Sequence, residues 1–283
     1  MAFFYSELDP DIKGILLAQI RDLWTHTSTA IEGNALTLGE TAFVLEEGLT
    51  VSGKPLRDHQ EVYGHAKGIE LLYHFLDSER LREEDVFSLH RVVQAESVMD
   101  ILQPVGSWKK ESNFTSFIGL DGKQHWREFP EPENIPALMR QWLDRFNADY
   151  GRPLDREAAS KVYADLHLDF VTVHPFFDGN GRMARLLSNL PVLRSGFPPI
   201  VVPTEARQEY KKSISDFQET VSALDRLKDL GALPENPERD RFRNICARYW
   251  EPTMVLVEEA RKRQARRNFG NLHRHPGKEP EKQ

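Results

Sequence analysis

Twelve consecutive residues hold most of the chemistry in this chain: His174-Pro175-Phe176-Phe177-Asp178-Gly179-Asn180-Gly181-Arg182-Met183-Ala184-Arg185. The imidazole of His174 is a candidate base. Asp178 is a hard carboxylate, the ligand type that Mg²⁺ prefers. Gly179, Asn180 and Gly181 all tolerate positive φ and let backbone N–H groups converge on an anion. Arg182 and Arg185 lie three apart, on one helix face, suited to hold oxyanions in bidentate fashion. Taken singly these groups are ordinary, since a lone histidine near a helix end is usually a cap and Gly-Asn-Gly usually a turn. Together they describe a site for a magnesium-bound polyphosphate.

Two helices must position that stretch. Val162, Leu166, Phe170 and Val173 keep helical spacing ahead of it. Pro175 disfavours helical geometry at His174, so a helix over residues 156–173 should stop there and leave the imidazole on a loop. Residues 182–190 read as the second helix, its positive end turned to whatever the turn holds. Leu186, Leu187 and Leu190 are its core contacts, and Pro191 should kink or shorten it.

The stretch closely resembles the signature of the Fic family, H-x-F-x-(D/E)-G-N-G-R-x-x-R, and fills every specified position. The resemblance implies a mainly α fold: a helical bundle around a central helix-loop-helix, with one β-hairpin called the flap. It implies ATP as substrate with Mg²⁺ on Asp178, and phosphates held over Gly179, Asn180 and Gly181 by Arg182 and Arg185. His174 would take the proton from a Ser, Thr or Tyr hydroxyl of a target protein bound along the flap, and AMP would be transferred. Several members carry a Tyr pair after the signature and an Asn further on. Here Tyr210 either stacks on the base or is a core or surface tyrosine; Lys211 follows it and Gln218 stands near the Asn position. UTP, CTP and GTP therefore stay open as substrates beside ATP.

Residues 11–32 read as the first helix, with Leu16, Ile20, Leu23, Trp24 and Ile31 on one stripe and Gly33 as its stop. Glu32 sits oddly in its last turn, where the helix dipole disfavours an acid. Ser28-Thr29-Ala30-Ile31-Glu32-Gly33-Asn34 is similar to the inhibitory motif (S/T)-x-x-x-E-(G/N) of Fic proteins that carry it ahead of the core. The resemblance makes Ser28, Glu32 and Gly33 inhibitory, with Glu32 paired to Arg185 and blocking the γ-phosphate.

Thr37 and Glu40 form a capping-box pattern that should start a helix running to Gly48. Helical spacing continues over residues 58–76 and 84–94; His90, on the latter, reads as a packed or capping histidine. Residues 113–118 and 124–129 are rich in β-formers around the turn dipeptide Asp121-Gly122, which predicts a hairpin. Helix resumes near Asn134 with Leu138, Met139, Trp142, Leu143 and Phe146 on one face. Further helices are expected over residues 210–225 and 238–267, and a disordered tail at 271–283. One domain thus covers residues 1–270: inhibitory helix 11–33, Fic core about 84–225, and C-terminal helix 238–267.

The formal net charge of −7 argues against broad nucleic-acid or membrane adhesion, despite the basic run from Arg261 to Arg267. No apolar run reaches the ~18 residues of a membrane span. One cysteine, Cys246, makes an internal disulfide impossible, and no His/Cys cluster has zinc spacing. The N-terminus turns acidic too early for a signal peptide, so a cytoplasmic protein is expected. Two other readings stand beside AMP transfer: removal of AMP with Glu32 orienting a water, and a non-catalytic nucleotide-sensing interaction module. The target protein is not legible, and a homodimer is left open.

Overall fold

A computed structural model describes residues 3–94, 104–118 and 122–274. The organising element is α6 (Arg156–Val173), which is buried almost all round. Asp155 starts it by accepting from the Ala158 N–H at 2.8 Å. A helix buried on every side needs partners for its polar groups. Trp142 Nε1 of α5 (Ile135–Tyr150) donates to the Leu166 carbonyl at 2.9 Å. Asp169 pairs with Arg239 of α10 (Pro237–Arg248) at 2.9 Å and with Arg145 of α5 at 2.8 Å. Around α6 pack α5, α10, α7 (Asn180–Leu187) and α8 (Asn189–Arg194). The fold is a helical bundle with one hairpin, as expected.

On the other side, α1 (Pro10–Glu32) packs against α2 (Leu38–Glu47), α3 (Leu56–Phe75) and α11 (Glu251–Arg274). Gly33 ends α1 at φ 110°, and the Thr37–Glu40 capping box forms in full. A fourth helix, α4 (Glu83–Val93), lies on α3 and α7. The hairpin pairs β1 (Phe114–Ile118) with β2 (Gln124–Glu128) in antiparallel register, Ser116 opposite Trp126. Of its turn dipeptide, Asp121 lies outside the described residues. Among the described residues no helix is long and apolar enough to cross a membrane.

Several helix boundaries differ from expectation, each for a local reason. The helix after the signature starts at Asn180, two residues before Arg182, because Gly179 supplies the left-handed cap. As expected of Pro191, it is shortened: it breaks at Ser188 into α8, because Pro191 has no N–H to offer the Leu187 carbonyl. The helix expected over 210–225 is α9 (Arg207–Glu219), which stops early. Beyond it Val221, Leu224, Leu227, Leu230 and Leu233 recur every three residues and are all buried. That spacing suits the 3₁₀ turns found at Leu224–Arg226 and Leu230–Ala232 rather than a 3.6-residue helix.

The single C-terminal helix expected over 238–267 is two helices, α10 and α11. Pro252 cannot donate to the Arg248 carbonyl, and the junction is pinned by Trp250 Nε1 on Pro198 O (2.8 Å) and Thr253 Oγ1 on Pro199 O (2.6 Å). Helix α11 runs to Arg274, past Gly270, where the sequence suggested a tail; residues 275–283 lie outside the described ones. Its basic run is partly paired: Lys262 with Glu258 at 2.6 Å, and Arg267 with Asp9 at 3.0 Å and Asp11 at 2.6 Å. The last contacts tie α11 to the start of α1.

Candidate active site

His174 closes α6, its N–H donating to the Phe170 carbonyl at 2.9 Å. Its φ is 51°, a left-handed conformation uncommon for a residue with a Cβ. Such backbone strain costs on the order of 1–3 kcal/mol and concentrates at functional positions. The ring stacks on Phe129 at 3.9 Å with 7° between planes. Asn113 Nδ2 (2.9 Å) and Asn180 Nδ2 (3.1 Å) both point at His174 Nδ1. Neither amide is free to turn: Asn180 Oδ1 accepts the Phe176 N–H, and both NH₂ groups also donate to the Phe176 carbonyl. The two amides therefore fix the plane and position of the imidazole. Burial, reinforced by Lys109, pushes the His174 pKa down to about 3.

The loop that follows is anchored from α4. Phe176 is fully buried and stacks on the His90 ring at 3.7 Å. His90 Nδ1 accepts the Gly106 N–H at 2.8 Å, so Nε2 donates to the Asp178 carbonyl at 3.1 Å. His90 is thus no bystander: it holds the backbone of the signature loop. Of the two turn glycines, only Gly179 uses positive φ, at 78°. Gly181 lies inside α7, and a Cβ there would stand 2.5 Å from Glu32 Oε1. The second glycine is needed for close approach, not for the turn.

Asp178 is 72% exposed. Burial pulls its pKa upward, but Arg182 and a hydrogen bond from Gln94 outweigh it and hold the carboxyl below its ordinary range. An ionised, open carboxylate fits a hard cation whose other ligands are phosphate oxygens and water. No group of three or more His, Cys, Asp or Glu side chains suited to a metal gathers among the described residues.

The two signature arginines do not share a ligand. Arg182 Nη2 donates to Gln94 Oε1 (3.1 Å) and Asp178 Oδ2 (3.4 Å), while its Nε and Nη1 are buried without partners among the described residues. Arg185, 2% exposed, has a partner at each of its three nitrogens. Its Nε donates to Ser28 Oγ (2.9 Å), Nη2 to the Ser28 carbonyl (2.8 Å) and Glu32 Oε1 (2.7 Å), and Nη1 to Tyr210 Oη (3.1 Å). Lys211 reaches Glu32 Oε2 at 3.5 Å. Burial pulls the Glu32 carboxyl up, yet Arg185 and Lys211 reverse this and keep it below its usual range. Ser28 and Glu32 are thus brought to Arg185, and Gly33 serves as the cap that ends α1 beside it.

Tyr210 is 2% exposed and offers little face to a base. Its hydroxyl donates to His167 Nε2 at 2.8 Å while accepting from Arg185, which makes it a pedestal for that guanidinium. Burial raises its pKa to about 12. A cavity of about 730 Å³ opens between the hairpin and α9, lined by Glu32, Phe117, His174, Gly181, Arg185 and Gln218 among others. Arg127, which sequence reasoning passed over, donates to Gln218 Oε1 (3.0 Å) and Ser215 Oγ (3.2 Å) at its edge. Gln94, Lys109, Asn113 and His167 were likewise missed; none stands in a motif.

The buried histidines predict a loss of stability in acid. Burial lowers His90 to about 4 and His167 and His174 to about 3, against an ordinary value of 6.5. Below pH 6.5 the unfolded chain binds protons that the folded chain refuses, so stability falls as pH drops toward 4. The slope approaches about 1.4 kcal/mol per pH unit for each histidine. Urea unfolding at pH 7 and pH 5 checks this; an unchanged midpoint would contradict it.

A histidine-capped helix, a Gly-Asn-Gly turn and a second helix buried in an α-bundle, with a hairpin over the cavity, define the Fic fold. The chain carries a domain of the Fic/DOC family, matched over residues 80–192. A Fic domain-containing signaling protein from Bacteroides thetaiotaomicron superposes with a TM-score of 0.76 at 26% identity, covering 90% of this chain and 92% of that one. Fic-1 (aa134–508) from C. elegans gives a TM-score of 0.69 at 26% identity, with 92% and 68% covered. Protein adenylyltransferase fic-1 of Caenorhabditis briggsae is 36% identical over 200 residues, 68% of this chain and 36% of that protein. The C. elegans protein of the same name is 35% identical over 196 residues. The chain thus spans little more than a third of the length of these curated relatives.

Proposed function

We propose that this chain is a protein adenylyltransferase that moves AMP from ATP to a hydroxyl of a target protein, and that Glu32 holds it inactive. The observation that carries the reading is one cavity shared by His174, the start of α7 and an Arg185 already bound to a carboxylate. The relatives named protein adenylyltransferase support it. A guanidinium that grips Glu32 in this state can grip a phosphate when Glu32 leaves. Arg182, whose Nε and Nη1 find no partner among the described residues, has the same need.

In this mechanism His174, neutral near pH 7, takes the proton of a Ser, Thr or Tyr hydroxyl. The freed oxygen attacks the α-phosphorus, the bond to the β-phosphate oxygen breaks, and pyrophosphate leaves. Arg185, Arg182 and the N–H groups at the start of α7 stabilise the charge that develops. Asp178 is the residue that would hold Mg²⁺, whose chemistry when bound is to neutralise phosphate charge. The target lies as an extended segment against an outer edge of the two-stranded hairpin. Arg127, Ser215 and Gln218 face the base end, where Gln218 is engaged by Arg127 and by the Val171 carbonyl. A cytoplasmic setting belongs to the proposal, in keeping with a lone buried thiol at Cys246.

The test uses a Glu32→Gly protein incubated with Mg²⁺ and ATP labelled at either the α- or the γ-phosphate. Label retained on protein from the α-position alone is the expected result. Label from the γ-position would identify a phosphoryl transferase, and label from neither would refute transfer.

A further inference from the structure

Two cations divide the Glu32 carboxylate between them. Arg185 Nη2 of α7 reaches Oε1 at 2.7 Å, and Lys211 Nζ of α9 reaches Oε2 at 3.5 Å. Both residues line the cavity that also holds His174. They are held differently. Arg185 also has the Ser28 hydroxyl, the Ser28 carbonyl and Tyr210 Oη as partners, none of which depends on Glu32. For Lys211, Glu32 is the one carboxylate within ion-pair reach among the described residues. The Lys211 side chain is 44% exposed, and its ammonium rides on a flexible four-carbon stem that can follow an anion in the cavity.

Helix α9 gives that ammonium a defined place. Arg207, one turn earlier, is committed to α1: its Nε donates to the Ile31 carbonyl at 2.8 Å. Ser215 and Gln218, four and seven residues after Lys211, share its helix face and line the same cavity. At 1.5 Å per residue, Gln218 lies about 10 Å from Lys211 along the axis. The helix therefore runs along the cavity, with Lys211 beside Glu32 at one end and Gln218 against Arg127 at the other.

We propose that Lys211 is a nucleotide-binding residue, and that its ammonium and the Arg185 guanidinium close on the oxygens of one phosphate group as they now close on those of the Glu32 carboxylate. The inference rests on the reading of this cavity as the ATP site. A carboxylate and a phosphate each present two anionic oxygens to a pair of cations. Arginine meets them as a fork and lysine as a point charge. Lys211 thus serves whichever anion occupies the place, the inhibitory side chain or the substrate. A lysine that only braced Glu32 would have no role once Glu32 is gone.

Calorimetry of ATP binding, with Mg²⁺, tests this on the full chain as wild type, Lys211→Met, Glu32→Gly and the double variant. Methionine keeps the length of the stem and suits an exposed helix position. In the Glu32→Gly background Lys211→Met is expected to weaken ATP binding by roughly three- to tenfold, a modest loss because the ammonium is partly in solvent. In wild type the same substitution should change ATP affinity little, since it weakens both competitors for the site. Lys211→Arg in the Glu32→Gly background should restore most of the affinity. Adenosine, which carries no phosphate, should bind Glu32→Gly and the double variant alike. In AMP transfer the loss should fall on KM, with kcat nearly unchanged, as for a contact made equally in the ground and transition states. Unchanged ATP affinity on adding Lys211→Met to Glu32→Gly, or an equal loss for adenosine and ATP, overturns the proposal. Tighter ATP binding by Lys211→Met in the wild-type background alone would make Lys211 a brace on Glu32 and nothing more, and also overturns it. A chain that shows the Lys211-dependent ATP affinity but transfers no AMP refutes the adenylyltransferase reading and leaves Lys211 as a nucleotide ligand.

Discussion

Glu32→Gly is expected to raise AMP transfer, read as label from α-labelled ATP on the protein itself, by roughly 10- to 100-fold over wild type. The size follows from the contact removed. Hydrogen bonds to charged groups contribute ~1.5–3 kcal/mol, which is about one to two powers of ten in rate. Glu32 gives Arg185 one such bond at 2.7 Å. Its carboxylate is still 33% exposed, so water screens part of the attraction and the lower half of the range is the better estimate. The fold should survive: residue 32 ends α1, where glycine costs little, and Arg207 Nε still holds the Ile31 carbonyl at 2.8 Å. Transfer equal to or below wild type would reject Glu32 as the inhibitor.

Removing the imidazole should cost more. In the Glu32→Gly background His174→Ala is expected to slow transfer by about 10²- to 10⁴-fold, the usual worth of a positioned base. ATP affinity should change little, since no phosphate-binding group is altered. Alanine at φ 51° is strained, whereas asparagine accepts that backbone. His174→Asn therefore separates chemistry from folding, and thermal unfolding of both variants completes the comparison. Label transfer at the parental rate in His174→Asn would contradict the base assignment.

Much of this site was legible because its signals are local. The stop at Gly33, the Thr37–Glu40 box, the hairpin and the signature loop each depend on neighbours a few residues away. What escaped depends on distance in sequence. His90 meets the Asp178 carbonyl across 88 residues and Asn113 meets His174 across 61; neither pairing leaves a periodic trace. The Arg182–Arg185 spacing correctly placed both on one short helix. Their partners, Gln94 on one side and Ser28 and Glu32 on the other, decided where each guanidinium turned.

Tyr210 shows a different limit. Its place after the signature suggested a stacking face for the base, but a hydroxyl between Arg185 and His167 requires the ring to lie inside. Proline acts at a distance of four: the break near Pro191 was expected, the one near Pro252 was not. Pro191 and Pro252 each withdraw one N–H, and tertiary anchors such as Trp250 on Pro198 settle where the break falls. The three-residue repeat from Val221 to Leu233 was visible in the sequence, and its period distinguishes 3₁₀ turns from the helix expected there.

The account turns on one guanidinium that either Glu32 or a nucleotide phosphate can hold. Calorimetry of ATP binding, with Mg²⁺, to wild type, Glu32→Gly, Arg185→Lys and the double variant measures that competition directly. Glu32→Gly should tighten ATP binding about tenfold when Arg185 is present and leave it nearly unchanged when Arg185 is Lys, because the fork that both ligands use is gone. Equal gains in the two backgrounds would contradict a shared Arg185.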